Sequence, residues 1–348
     1  MLDELRIAVI GAGRIGVVHA ENLAHRVRGA RLVAVTTSDA ERAAEARRRC
    51  GDIAVYSSPD VLLSEAEIDA VVIASSTSAH TANIQACAAA GLHVFCEKPL
   101  ALNLADCDAA IGAANAAGVT LMVGHVRQFD AGYVEAKRVI ESGEIGRPIV
   151  FRAIAGDQDP PPPAFADPNV SGGLITDAGY HDLYLARWLM ADEVVRAYAE
   201  GEALVDPAIG AVGDVDNAVV NFRFAGGGLG TLFVSRTTRY GHDVRVEVIG
   251  EEGAVHVGYL RRTPLNVLTR AGVRHDVVPD TAARYAEAFV AEMQAFVDSV
   301  RSGAAPPVTG ADSRAALAIG LAATRALREG RPVSLQEAGS FVEKDVKL

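Results

Sequence analysis

The chain has 348 residues, of which 50% are apolar and 22% charged, with a formal net charge of −11. That length fits two domains with a sizeable core, and the acidic balance argues against nucleic acid or an anionic membrane surface as a partner. No apolar run has the length of a membrane span, the amino terminus lacks the basic and apolar regions of a signal peptide, and Cys50, Cys87, Cys96 and Cys107, without C-x-x-C spacing, read as single thiols in a reducing, cytoplasmic setting with no disulfide framework and no zinc site.

Residues 5–10, Leu-Arg-Ile-Ala-Val-Ile, read as a short buried strand, Gly11-Ala12-Gly13-Arg14-Ile15-Gly16 follows at once, and a helical pattern runs to about Arg28. This is G-x-G-x-x-G in the strand, turn and helix context that a dinucleotide site requires. Gly11 permits the turn, Gly13 lets the backbone approach a pyrophosphate, and Gly16 lets helix and strand pack closely. The pyrophosphate is expected on the helix amino end, where free N–H groups and the dipole favour an anion. Strand 31–36 runs into Thr36-Thr37-Ser38-Asp39. The position at which an acid would bind the adenosine ribose is Thr37. Small hydroxyl side chains at Thr37 and Ser38 leave room for a 2′-phosphate that Arg42 can pair with, which tilts the reading towards NADP over NAD. On the other reading Ser38 or Asp39 caps helix 39–50 and Arg42 is solvated. A register that brings Asp39 onto the ribose would restore NAD.

Strand 69–74, a loop and cap at 75–78, helix 79–90 ending at Gly91, strand 92–96, helix 103–117 ending at Gly118 and strand 119–123 continue the alternation. The pattern predicts a doubly wound parallel sheet with its ligands at the strand carboxyl ends. Lys98, in Glu97-Lys98-Pro99, lies at such an end and reads either as a functional lysine or as a surface charge.

Residues 126–146 lead through one helix to strand 148–155. The proline-rich stretch Asp157–Pro168, with four prolines at 160–163, is expected to be stiff and extended, either a linker or a wall over the substrate. In Gly172–Trp188 two glycines end the loop and an apolar-periodic helix follows, with Leu174, Ala178, Leu185 and Trp188 near one stripe. Asp177 and His181, four residues apart, then share a face. A carboxylate there can orient the imidazole and stabilise its charged form, which is the hardware for moving a proton; such pairs also arise by chance on solvated helices. Strands at 194–200, 217–224, 229–236, 244–249 and 254–258, with a hairpin at Gly226–Gly228, predict a large open, mainly antiparallel sheet with one spare face. Helices at about 282–302 and 310–329 close the chain. The expected fold is therefore α/β: a dinucleotide-binding Rossmann domain over 1–125 and an α+β domain over 126–348.

Gly91-Leu-His-Val-Phe-Cys-Glu-Lys-Pro-Leu-Ala101, Ser76-Thr77-Ser78-Ala79-His80, Arg127-Gln128-Phe129-Asp130, Ser142-Gly143-Glu144-Ile145-Gly146-Arg147-Pro148 and the glycine-led Asp177/His181 segment together resemble the glucose–fructose oxidoreductase, inositol dehydrogenase and rhizopine-catabolism (Gfo/Idh/MocA) family. The resemblance covers about residues 5–334. Through Val205-Asp206-Pro207, Gly213-Asp214-Val215-Asp216 and the Ser235–Gly250 stretch it is most similar to inositol 2-dehydrogenases. It implies a cofactor site that includes Gly11, Gly13, Arg14, Ile15, Gly16, Thr37, Ser38, Arg42, Ser75, Thr77, His80, Glu97 and Lys98. It implies a catalytic set of Lys98, Asp177 and His181, with His181 as the base in oxidation. Lys98, Arg127, Gln128, Asp157, Asp177, His181, Tyr184, Tyr240 and His242 are implied at the substrate. His242 stands where the family has a second tyrosine, Gln128 where inositol enzymes often have an arginine, and Tyr184 where an aspartate is common.

The resemblance implies an NAD(P)-dependent dehydrogenase acting on a secondary hydroxyl of a cyclic polyol or sugar, without a metal, and a homodimer or homotetramer built on the spare sheet face. An NADPH-dependent reductase of a keto-sugar, aldehyde or imine would use the same residues in reverse. A non-catalytic nucleotide-sensing regulator of the same fold would bind cofactor without turnover.

Overall fold

The computed structural model describes residues 4–258 and 265–339; the first three residues and the end of the expected second domain lie outside them. Contacts divide the chain into two compact units, residues 1–130 with 285–314, and residues 131–284 with 315–348.

The first unit holds β1 (Leu5–Ile10), β2 (Ala30–Thr36), β3 (Ala54–Tyr56), β4 (Ala70–Ile73), β5 (His93–Glu97) and β6 (Leu121–Gly124), in the order β3-β2-β1-β4-β5-β6. Every pairing is parallel, which gives the doubly wound order whose crevice opens at the carboxyl ends of β1 and β4. Helices Arg14–His25, Ala40–Cys50, His80–Ala89 and Leu104–Ala117 alternate with the strands. β3 and the helix Pro59–Glu65 are absent from the sequence-based expectation, because a three-residue, half-exposed edge strand leaves no periodicity to detect.

A parallel sheet must be covered on both faces. Ile7, Val9, Val72 and Phe95 are fully buried, and Met293, Phe296 and Val297 of the helix Ala286–Ser302 join their cluster. This helix therefore belongs to the first unit, although chain order assigned it to the second. Its apolar stripe completes the first core, and sequence order carries no signal that the chain returns there.

The second unit is a mixed sheet. It comprises β7 (Pro148–Gly156), β8 (Val194–Glu202), β9 (Asn217–Phe224), β10 (Leu229–Ser235), β11 (Asp243–Gly250), β12 (Ala254–Val257) and, after the separate hairpin β13 (Val267–Thr269) and β14 (Gly272–Arg274), β15 (Val333–Ser334). The order is β12-β11-β7-β10-β9-β8-β15. β7 and β10 pair in parallel and the other neighbours antiparallel. Burial alternates along the strands: Ala218, Val220, Phe222, Phe224, Leu232 and Val234 line a buried face, while Val219, Asn221 and Arg223 point outward. The helix Tyr180–Met190 packs on β7.

Two local expectations change. The proline-rich stretch is not extended throughout, because Pro163 and Pro168 each open a one-turn helix, Pro163–Ala166 and Pro168–Ser171. Their fixed φ and missing N–H suit a first helical position. The Asp177/His181 segment is not one helix but two, Gly173–Asp177 and Tyr180–Met190.

Candidate active site

In the first unit the turn after β1 is built for close approach. Gly11 adopts φ +101°, and a Cβ there would lie 2.7 Å from the Ala74 carbonyl oxygen. A Cβ on Gly16 would lie 1.9 Å from the Gly11 oxygen, whereas one on Gly13 would meet nothing within 4 Å. Gly11 and Gly16 are thus required by packing. Packing among the described residues does not require Gly13, so the backbone there is clear for a pyrophosphate to approach. Helix 14–25 starts behind Gly13 with no side-chain cap and no acid in its first turn, so its amino end suits an anion such as a pyrophosphate. Arg14 is exposed there and Ile15 half-buried. The Gly11 N–H donates to Thr36 Oγ1 at 3.1 Å, locking the turn to β2.

Beyond β2, the Thr37 hydroxyl accepts the Asp39 N–H at 3.1 Å, and Asp39 Oδ1 accepts the N–H groups of Glu41 and Arg42 at 2.9 and 3.0 Å. Asp39 therefore caps helix 40–50. Arg42 is exposed, with Nε 3.8 Å from Asp39 Oδ2, and Ser38 is exposed beside it.

At the end of β4, Ser75 Oγ accepts from Asn83 Nδ2 at 3.2 Å, and Thr77 opens a short 3-10 turn. His80 is 1% exposed. Its Nδ1 lies 2.9 Å from the Pro99 oxygen and its Nε2 3.2 Å from the Ser75 oxygen. It ties the loops after β4 and β5 together from behind, and burial pushes its imidazole pKa down. Glu97 also faces inward: Oε1 lies 2.7 Å from His19 Nε2, and Oε2 accepts the Lys98 N–H at 3.1 Å. Lys98 follows, half-buried, at the end of β5. The Arg127 guanidinium lies 5.9 Å over the Tyr285 ring, and Gln128 Nε2 donates to the Pro307 oxygen at 3.3 Å.

In the second unit two successive left-handed glycines, Gly172 (φ +85°) and Gly173 (φ +83°), turn the chain into helix 173–177. A Cβ on Gly173 would come within 3.0 Å of Asp214 Oδ1, and both Asp214 oxygens accept the Leu174 N–H, at 3.1 and 3.0 Å. The Leu174 oxygen then receives both Ala178 N–H and Gly179 N–H, at 3.0 and 3.2 Å, which ends that helix. Gly179 brings the break close to β10, since a Cβ would lie 3.2 Å from Leu232 Cδ2. Asp177 is thus the last residue of one helix and His181 lies in the first turn of the next. His181 is 9% and Tyr184 3% exposed.

Asp177 has a partner that its sequence neighbourhood does not announce. Arg236, 1% exposed, donates from Nη2 to Asp177 Oδ2 at 3.1 Å and from Nη1 to Asp214 Oδ2 at 2.8 Å. One buried guanidinium thus holds two carboxylates, the geometry for which arginine's planar fork is suited. Asp214 is strongly desolvated even so, and burial pushes its carboxyl pKa up. Arg236 and Asp214 stand in stretches that carry the family resemblance, but only contacts across the sheet reveal that they meet Asp177.

Around the ends of β7 and β11, Asp157 Oδ1 lies 3.1 Å from His242 Nδ1, with His242 4% exposed. Tyr240 donates to Asp243 Oδ2 at 3.1 Å, and Arg245 grips Asp243 at 2.7 and 2.8 Å. Asp157 and His242, 85 residues apart in the chain, are thus brought into contact, with Tyr240 and its partner Asp243 close to His242 in sequence. All four cysteines are free and buried. Burial pushes the Cys50 thiol up to about 11 and those of Cys87 and Cys107 up to about 12, so these three are not thiolates near neutral pH.

Comparison with known proteins identifies the family. Residues 5–125 match the oxidoreductase family with an NAD-binding Rossmann fold, and residues 133–256 match the GFO/IDH/MocA C-terminal domain. The chain is 40% identical to the myo-inositol 2-dehydrogenase of Thermotoga maritima over 96% of its own length and 99% of that protein's. It is 40% identical to the scyllo-inositol 2-dehydrogenase (NAD(+)) of Bacillus subtilis over 96% and 97%. Among solved structures it is similar to the scyllo-inositol dehydrogenase from Lactobacillus casei with bound NAD(H) and scyllo-inositol, with a TM-score of 0.89, 27% identity, and coverage of 96% of this chain and 99% of that one. The two matched domains, the glycine turn and the near-full-length relatives place this chain in the Gfo/Idh/MocA oxidoreductase family.

Proposed function

We propose that this protein is an inositol-class polyol dehydrogenase, oxidising one secondary hydroxyl of a cyclic polyol to the ketone. The observation that carries this reading is the 40% identity, over 96% of the chain, to two inositol 2-dehydrogenases.

The nicotinamide cofactor, held through Gly11, Gly13, Gly16 and the helix behind them, supplies the hydride acceptor. His181 takes the proton of the reacting hydroxyl. Asp177, its Oδ2 fixed by Arg236, orients His181 and stabilises the imidazolium formed when the proton arrives. Lys98 donates a hydrogen bond to the reacting oxygen and lowers its pKa; in the reverse direction the same bond polarises a ketone. Tyr184, Arg127, Gln128, Asp157, Tyr240 and His242 supply the polar and shape contacts that choose among polyols.

The choice between NAD and NADP rests on the end of β2. No acid stands at Thr37, and Asp39 is committed to capping its helix. Exposed Arg42 is then available to a 2′-phosphate, so NADP is accepted alongside the NAD named for relatives. The four buried free thiols suit a reducing compartment such as the cytoplasm.

A panel of inositols, pyranoses and their keto forms against both cofactors, followed by absorbance of the reduced nicotinamide, tests the reading. Oxidation of at least one inositol is the expected result, and no activity on any cyclic polyol or sugar removes the reading.

A further inference from the structure

Directly behind the Lys98 turn, within the first unit, His19, Glu97 and Glu292 converge from helix 14–25, β5 and helix 286–302. One ligating atom from each lies within 4.8 Å of the others. His19 and Glu292 are 0% exposed. The His19 ring is edge-on to Phe95 and Phe289, with centroids 5.3 and 5.6 Å away, and Gly124 closes the remaining side, where a Cβ would sit 3.3 Å from the Glu97 carboxyl. Neither Glu292 oxygen, nor His19 Nδ1, has a hydrogen-bond partner among the described residues.

Charge decides what such a cluster can be. Two carboxylates beside a neutral imidazole would bury two uncompensated negative charges, which the desolvation penalty forbids. Either protons or a cation must neutralise them. A transition metal would hold its nitrogen and oxygen donors about 2.0–2.2 Å from itself, and so about 3 Å or more from each other. His19 Nε2 and Glu97 Oε1 are instead 2.7 Å apart, the separation of a charge-assisted N–H···O bond.

We propose that Glu292 is carried as the neutral acid and that, with His19 and Glu97, it forms a buried proton-holding cluster that fixes the Glu97 carboxylate and, through its bond to the Lys98 N–H, the position of Lys98. The proton on Glu292 removes one of the two negative charges that the cluster would otherwise bury, and Glu97 Oε1 keeps its 2.7 Å contact with His19 Nε2. Burial, and then the charge of Glu97, push the Glu292 carboxyl well above the usual carboxylate range. Glu292 and His19 are positioning residues; neither touches the reacting atoms.

The consequence for turnover rests on the role proposed for Lys98, but the primary readout does not. Infrared spectra of the wild-type protein near neutral pH should contain the carbonyl stretch of a protonated carboxyl group that is missing from the E292Q spectrum. Metal analysis of the wild type should find no stoichiometric transition metal. Because the amide is isosteric with the neutral acid, E292Q should keep turnover and NADH affinity within about threefold. E292A, which frees Glu97 to shift, should lose about ten- to a hundredfold in kcat, as expected when a reacting group is misplaced by an ångström or less. Absence of the protonated-carboxyl band, one equivalent of metal that E292Q loses, or an E292Q as impaired as E292A overturns the proposal. If E292A does not fold, the band, the metal content and E292Q still decide. If the protein oxidises no polyol, the infrared result and the NADH affinity of E292Q decide without turnover.

Discussion

In the proposed reaction Lys98 and His181 serve the same proton transfer, one steadying the oxygen and the other removing its proton. Replacing either with an inert side chain, Lys98→Met or His181→Ala, should lower kcat by two or more decades, the scale of general acid–base catalysis. Near-normal steady-state rates in either variant would remove its assignment. His80 differs in kind, because it bonds two carbonyls and is buried rather than facing a ligand. Its folded pKa lies below the ordinary 6.5. As pH falls below 6.5 the unfolded chain takes up a proton that the folded protein refuses, so stability is lost through that window. His80→Gln should therefore be less stable than wild type at pH 7.5, with the gap narrowing towards pH 5. Thermal melts across that range check the sign, and a gap that widens on acidification would contradict it. Lys98 and His181 are legible because their neighbours in sequence form recognisable motifs. Arg236 and Glu292 are not, since each gains its meaning from partners that lie on other elements and far off in the chain.

Elements are most legible where a repeating pattern has room to develop. β7 to β12 fall within two residues of their expected ends, because alternating burial along a half-covered sheet writes itself into the sequence. Short elements escape: β3, and the one-turn helices opened by Pro163 and Pro168. The break between helices 173–177 and 180–190 also escapes, because the apolar stripe continues across Ala178 and Gly179, and only the approach of the Ile175 oxygen and Leu232, at 2.7 and 3.2 Å from a Cβ there, shows why a glycine stands at 179. The glycine turn after β1 yields the sharpest test at this scale. Gly16→Ala places a Cβ against the Gly11 oxygen and should lower both the melting temperature and NADH affinity. Gly13→Ala meets only open space. It should melt like the wild type yet bind NADH at least about tenfold more weakly, a difference of about 1.4 kcal/mol. Unchanged NADH affinity in Gly13→Ala, measured by fluorescence titration, would mean that the pyrophosphate is not held at this turn.

At the scale of the whole chain, sequence order captures the succession of two folds but not their composition. Helix 286–302 completes the first unit's core and delivers Glu292 to the back of the Lys98 turn, a return that no local pattern announces. The outward face of the second sheet carries Val219 and, at the start of β10, Leu229, 45% and 50% exposed. We expect this face to pack against a second copy, as the family resemblance implies. Sedimentation velocity should accordingly give a dimer or tetramer, and a monomer at micromolar concentration would contradict that. No helix among the described residues is long and apolar enough to cross a membrane. In the proposed reaction a hydride passes from a ring carbon of a cyclic polyol to the nicotinamide, and isotope transfer tests that step most directly. With myo- or scyllo-inositol deuterated at its ring carbons and either cofactor, the reduced nicotinamide should carry one deuterium at C4, detected by NMR. Reduced nicotinamide without the label, or none formed from either inositol, would contradict the account.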